Sequence, residues 1–152
     1  MKKSLLIISC SGRKIKTPGA IPAYQRYDGQ MYRVIAKAQR EAYFPTDVLD
    51  IAIISAKLGF LKWDDKIEDY DQLMTDKQSD TLRASVQEDM RSFLDGKDYD
   101  KGYINLGARY RKTLEGFDWD EYFSKVIEAE GGIGKKLSQL KSWLVSLHQQ
   151  GI

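Results

Sequence analysis

The sequence predicts a three-layer, Rossmann-like α/β fold, with a mostly parallel sheet of about three to five strands and helices on both faces. Two observations carry this reading. Apolar runs without polar alternation recur at residues 5–8, 48–54 and 102–106, the pattern of strands buried on both faces. Stretches with apolar residues at helical spacing separate them, which implies βαβ units whose strand ends converge on one edge of the sheet. Ligands of open α/β sheets bind at that edge.

Taken in order, Leu5-Leu6-Ile7-Ile8 stops on Ser9-Cys10-Ser11-Gly12-Arg13-Lys14. A loop then runs to about Gly29 and carries Pro18 and Pro22. A loop of roughly twenty residues is long for a compact domain, and such loops are commonly functional or mobile. From Gln30, the residues Met31, Val34, Ile35, Ala38 and Ala42 fall on one helical face, and Pro45 stops the helix. Val48 to Ile54 is the second strand, ending on Ser55-Ala56-Lys57-Leu58-Gly59. Thr75 and Gln78 have capping-box spacing and open a helix that turns Leu82, Val86, Met90, Phe93 and Leu94 inward. Gly102 to Leu106 is closed by Gly107 and a basic turn, Ala108 to Lys112. Residues 125–129 read either as a fourth strand or as the prolongation of a helix from Trp119. After Gly131-Gly132-Ile133-Gly134, a last helix carries Ile133, Leu137, Leu140, Leu144 and Leu147 at helical spacing.

The chain has 152 residues, enough for one core, and no repeat or linker divides it, so residues 1–152 read as a single domain. Its 24 Lys+Arg against 22 Asp+Glu leave a charge of +2, which neither demands nor excludes nucleic acid. One cysteine forms no internal disulfide, and the longest apolar run near the N-terminus is far short of a signal core or membrane span. A cytoplasmic protein without a membrane partner is expected. One Cys and one His make no zinc ligand set, and no cofactor is called for.

Gly107, Gly131, Gly132 and Gly134 allow close approach of a ligand, and successive amide N–H groups can cradle an anion. Gly134 at a helix start, followed by Lys135 and Lys136, adds the helix dipole and two cations. The same string also serves as a plain turn before an amphipathic helix, and no Walker-type phosphate loop is present. Cys10 lies near Arg13 and Lys14, which favour a thiolate. The sole histidine, His148, is remote near the C-terminus, so the reading of Cys10 is a packing or weak hydrogen-bonding group. Lys57 at the rim must pair with one of Asp64, Asp65, Glu68, Asp69 and Asp71, or meet an anionic ligand. Tyr70 offers an aromatic face for a base, or packs its loop on the sheet. Asp71 offers a carboxylate for acid–base work or a ribose hydroxyl. Nine tyrosines, with Tyr24, Tyr27 and Tyr32 around the first loop, make stacking on a nucleobase plausible.

Four stretches together, S-C-S-G-R-K, P-A-Y-Q-R-Y-D-G, I-S-A-K-L-G-F-L-K-W-D-D-K-I-E-D-Y-D and G-G-I-G-K-K-L-S-Q-L-K-S-W-L, resemble a family of small uncharacterised bacterial, archaeal and phage proteins. More distantly, Ser55, Gly59, Leu61, Asp64, Ile67 and Tyr70 are similar to a segment of the YaaA peroxide-stress proteins, which bind DNA. The spacing of Cys10 and Lys14 is similar to a motif of archaeosine synthase, a tRNA-modifying enzyme. That motif continues with Pro-Tyr and a later histidine. Here Ile15-Lys16 follow, so its transfer chemistry is not carried over. The resemblance implies a shared α/β core with a nucleotide or nucleic-acid connection.

The expected function is therefore an enzyme acting on a nucleotide or on a base in nucleic acid, at an N-glycosidic bond. Lys57 and the Gly131–Gly134 turn would hold phosphate, and Asp71 would face an oxocarbenium-like centre or activate water. Cys10 and Ser11 would line the pocket with Ser9, Lys14, Ser55, Gly59, Tyr70, Gly107 and Lys135. A non-catalytic nucleic-acid module is the alternative, using Arg109, Arg111, Lys112, Lys135, Lys136 and Lys141 against phosphates. A small-molecule sensor or an inhibitor of another protein is a third.

Overall fold

A computed structural model describes residues 2–41 and 48–150. In chain order the elements are β1 (Ser4–Ser9), β2 (Ile21–Pro22), α1 (Ala23–Arg26), α2 (Gln30–Arg40), β3 (Leu49–Ser55), β4 (Gly59–Lys62), β5 (Lys66–Ile67), α3 (Asp76–Leu94), β6 (Tyr99–Asn105), α4 (Ala108–Arg111), β7 (Phe123–Glu128) and α5 (Ile133–Gln150). Two 3-10 turns, Lys112–Leu114 and Trp119–Glu121, lie between α4 and β7. Ala42 and Pro45, expected to end the first long helix, lie outside the described residues, as does the side chain of His148.

The main sheet has five strands in the order β4-β3-β1-β6-β7. All its pairs are parallel except β3 with β4, which form an antiparallel hairpin. β1 is central because it is apolar on both faces. Its alternate residues feed two separate cores. Leu6 and Ile8, with Ile51, Ile53 and Tyr103, face α2 and α5. Leu5 and Ile7, with Ala52, Ile54 and Ile104, face α3 and the turns after α4. Each fully buried Leu or Ile contributes about 1.5–3 kcal/mol of transfer free energy, so neither layer is dispensable.

The N-cap half of the expected capping box forms, the Gln78 N–H donating to Thr75 Oγ1 at 3.0 Å, whereas the Gln78 side chain donates to the Ala56 carbonyl at 2.7 Å instead of returning to Thr75. Residues 125–129 resolve toward a strand, with β7 starting at Phe123. β6 begins at Tyr99, ahead of the expected Gly102, and buries Tyr99 against Phe123 at a ring separation of 5.5 Å. The hairpin strand β4 has no counterpart in the sequence reading, because four residues between two polar turns show no period.

The long first loop is ordered by a buried charge. Arg26 is fully buried and donates to the carbonyls of Ile15, Thr17, Gly19 and Ile67, at 2.7, 2.8, 2.5 and 3.3 Å. The β2–β5 ribbon and a bridge between Lys14 and Tyr27 complete the tie. A guanidinium has five N–H donors in a fixed fork, which lets one side chain hold four carbonyls and tie the first loop to β5.

Candidate functional site

Because β1, β3, β6 and β7 are parallel, their C-terminal ends share one rim. From β1 the chain crosses to β3 by way of α2, on one face of the sheet. From β6 it runs to β7 by way of α4 and the turn holding Leu114, on the other face. Neighbouring strands whose connections diverge in this way leave a crevice between their ends. Here the crevice lies between Ser9-Cys10 and Asn105-Gly107. Cys10 Sγ spans it, in hydrogen-bond contact with Tyr110 Oη at 3.3 Å.

A chain of hydroxyls adjoins the thiol. Ser55 Oγ accepts the N–H groups of Lys57 and Leu58 at 3.2 and 3.0 Å, so its own proton goes to Tyr70 Oη at 2.7 Å. Tyr70 Oη in turn shares a hydrogen bond with Tyr27 Oη at 2.6 Å, which carries the chain on to Tyr27. Tyr32 donates to the Ser9 carbonyl at 2.7 Å, closing the floor of the cluster. Burial pushes the Tyr27 phenol up to about 12, against the opposing hydrogen bond from Tyr70. Burial, and next the adjacent Cys10, raise Tyr70, Tyr32 and Tyr110 as well. All four phenols are neutral donors at physiological pH. The group in contact with the Cys10 sulfur is thus a donor and a poor base, which leaves the thiol without the partner a nucleophile needs.

Two cations flank this chain. Lys14 Nζ stands 4.5 Å, and Lys57 Nζ 5.8 Å, from the Tyr70 ring centroid. Among the described residues neither makes an ion pair, although their neighbours do: Arg13 with Asp28, Lys16 with Asp69 and Lys62 with Asp65. The acids proposed as structural partners for Lys57 are thus either paired elsewhere or turned to solvent. A cavity of about 520 Å³ opens beside Lys57 and Tyr70. A second, of about 270 Å³, lies beside Ser9, Cys10, Ser11 and Gly29 and is bordered by Ile133 of α5. Asp71 is exposed, lines neither cavity, and makes no ion pair or hydrogen bond among the described residues.

The glycines divide by role. A Cβ at Gly107, Gly132 or Gly134 would meet nothing within 4 Å, so each faces open space at the rim. Gly131 has φ +93° and lies under the folded stem of Lys135, which occupies that lysine with packing. Gly59, φ +73°, closes the β3–β4 turn opposite Ser55 and is buried against Val86. Ser11 donates to the Arg13 carbonyl at 2.6 Å and shapes its own loop. The structure therefore brings together Cys10, Lys14, Ser55, Lys57 and Tyr70, with Ser9 beneath them and Gly59 paired across to Ser55, and holds Asp71 apart. Tyr27 and Tyr110 complete the cluster. The sequence hint for Tyr27 was the tyrosine-rich first loop; Tyr110 stands a hundred residues from Cys10 and gave none.

Among solved structures, the chain is similar to the crystal structure of AF0587, a protein of unknown function, with 15% identity and a TM-score of 0.55. The match covers 94% of this chain and 44% of AF0587, so the chain spans less than half of that protein's length. That likeness is one of fold. No curated protein matches the chain. Residues 5–142, from β1 into α5, match the family of unknown function DUF6884, and the chain belongs to that family.

Proposed function

We propose that the rim binds a nucleotide, free or within nucleic acid, and acts at its N-glycosidic bond. The observation that carries the reading is the pair of ammonium groups, Lys14 and Lys57, over one tyrosine ring and without carboxylate partners among the described residues. An anionic phosphate between them would form charge-assisted hydrogen bonds. Tyr70, which lines the cavity beside Lys57, offers the base its ring, and Asp71, next in the chain but lining neither cavity, becomes the carboxylate of an oxocarbenium-like centre when its loop turns toward the bound sugar. Both segments that resemble nucleic-acid-linked proteins contribute here, one with Cys10 and Lys14, the other with Ser55 and Tyr70. Of the six cations of the backbone-binding alternative, four are engaged within the chain, and Lys135 and Lys141 make no ion pair among the described residues. Arg109 and Lys112 share Asp76 at 3.8 and 3.5 Å, Arg111 pairs with Glu128 at 3.1 Å, and Lys136 donates to the Leu106 carbonyl.

Calorimetric titration with nucleoside 5′-monophosphates and the matching nucleosides tests the proposal. The monophosphate should bind at least tenfold more tightly, and Lys57→Ala should abolish that advantage. Asp71→Asn should bind normally and release no free base. Equal binding of nucleoside and nucleotide, or binding of neither, overturns it.

A further inference from the structure

A cleft of about 1010 Å³ lies at the other end of β3 from the rim. The hydrogen bonds Ser4 N→Val48 O and Cys10 N→Ile54 O fix the parity of β3: its even-numbered residues bond to β1 and its odd-numbered residues point outward. β4 satisfies the outward groups of Ile53 and Ser55, but the pairing ends at Ala52↔Lys62. The outward N–H and C=O groups of Leu49 and Ile51 face the cleft, and no backbone group among the described residues meets them. Such a row is a template for another strand.

The walls on either side of this edge are aromatic. Trp63 stacks with Tyr24 at 5.5 Å on the face toward α2, and Phe60 lies 5.3 Å from Phe93 on the face toward α3. Successive side chains of an added strand would enter opposite walls. The charges are also selective. Lys62 pairs with Asp65, Lys97 bends onto the ring and carbonyl of Phe93, and Asp50 takes Lys3 and Tyr99. The lining charges left without a partner among the described residues are Asp64 and Asp89, both carboxylates.

We infer that this cleft receives a cationic, extended peptide as a strand added to β3 at Leu49–Ile51. Two adjacent apolar side chains fill the opposed aromatic walls, and flanking Lys or Arg side chains meet Asp64 and Asp89. Backbone pairing supplies affinity, while the walls and carboxylates select the sequence. This site is separate from the rim and independent of its ligand.

The test uses the full chain and the acetylated, amidated peptide Arg-Lys-Val-Val-Lys-Arg, followed by calorimetry and amide hydrogen exchange. Saturable binding should slow exchange at Leu49 and Ile51. N-methylation of alternate peptide amides should weaken binding at least tenfold. Replacing both exposed acids, Asp64→Asn with Asp89→Asn, should weaken it about fivefold to tenfold at low salt. Equal binding of the N-methylated peptide would mean ring contact without strand addition, and overturns the inference. So does equal binding of the glutamate-flanked analogue, or no saturable binding at millimolar peptide. A concentration-dependent dimer that protects the same amides without peptide would assign the edge to a second copy of the chain and would overturn it too.

Discussion

Gly29→Ala measures how firmly the loop behind Cys10 is held. Gly29 has φ −76° and ψ 176°, a conformation open to any residue, so the cost of the substitution is steric. A Cβ there would stand 2.6 Å from Ser11 Cβ and 3.3 Å from its Oγ. Carbon atoms settle at about 3.5–4.0 Å, so one backbone must retreat by roughly 1 Å. Rotating Ser11 does not relieve the clash, because Cβ moves only with the main chain. Overpacking of this kind costs about 1–3 kcal/mol, and removing glycine from the unfolded chain returns about 0.4–1 kcal/mol. The net expectation is about 1–2 kcal/mol of destabilisation, or about 2–8 °C in Tm. Urea unfolding of Gly29→Ala, Ser11→Gly and the double variant forms the assay. Removing the Ser11 Cβ should rescue Gly29→Ala, with a coupling of about 1 kcal/mol. Additive effects, or a Gly29→Ala protein more stable than the parent, would refute the tight approach of the two segments.

Other outcomes follow from the same geometry. Arg26→Met strands four carbonyls and should destabilise the chain by about 3 kcal/mol or more; Arg26→Lys, lacking the fork, should not restore it, and wild-type urea stability of that lysine variant would refute the hub. The folded Tyr27 keeps its proton above pH 10, where the unfolded chain loses it, so stability is full below pH 10 and falls as pH rises through about 12. Tyr27→Phe should reduce that alkaline loss, Tyr32, Tyr70 and Tyr110 supplying the remainder, and an unchanged pH profile would contradict the burial assigned to the phenol. Cys10→Ser should leave nucleotide binding within about threefold while Lys57→Ala lowers it about tenfold to a hundredfold. A Cys10→Ser protein that binds but has no turnover, with alkylation blocking the parent, would instead make the thiol the nucleophile.

The elements that showed in the sequence are those whose local pattern and tertiary role agree. The continuous apolar runs of β1 and β3 are buried on both faces, and Thr75 caps α3 as its spacing requires. β4 escaped because it is short and is held by its hairpin partner. β7 stayed ambiguous because its exposed Ser124 and Lys125 interrupt the apolar signal of an edge strand. No local pattern marks Arg26 for burial, since one of its four carbonyl partners, Ile67, lies forty-one positions away. The rim was legible as an edge, since strand ends announce themselves by their polar termini. Its contents were not. The contacts of Cys10 with Tyr110 and of Tyr27 with Tyr70 span 100 and 43 positions, and no period or spacing encodes them.

The central place of β1 has a consequence for synthesis. Ser4 must wait for Leu49, and Leu5 for Gly102, before either edge of the strand is paired. At ~5–20 residues per second on the ribosome, those partners arrive roughly 2–9 s and 5–19 s after β1 itself. Throughout that interval Leu5, Leu6, Ile7 and Ile8, all fully buried at the end, are apolar in water on a nascent chain. A pause in translation between β3 and β6 would lengthen the exposure of the central strand, which feeds both cores, so elongation rate over residues 56–98 becomes a determinant of yield.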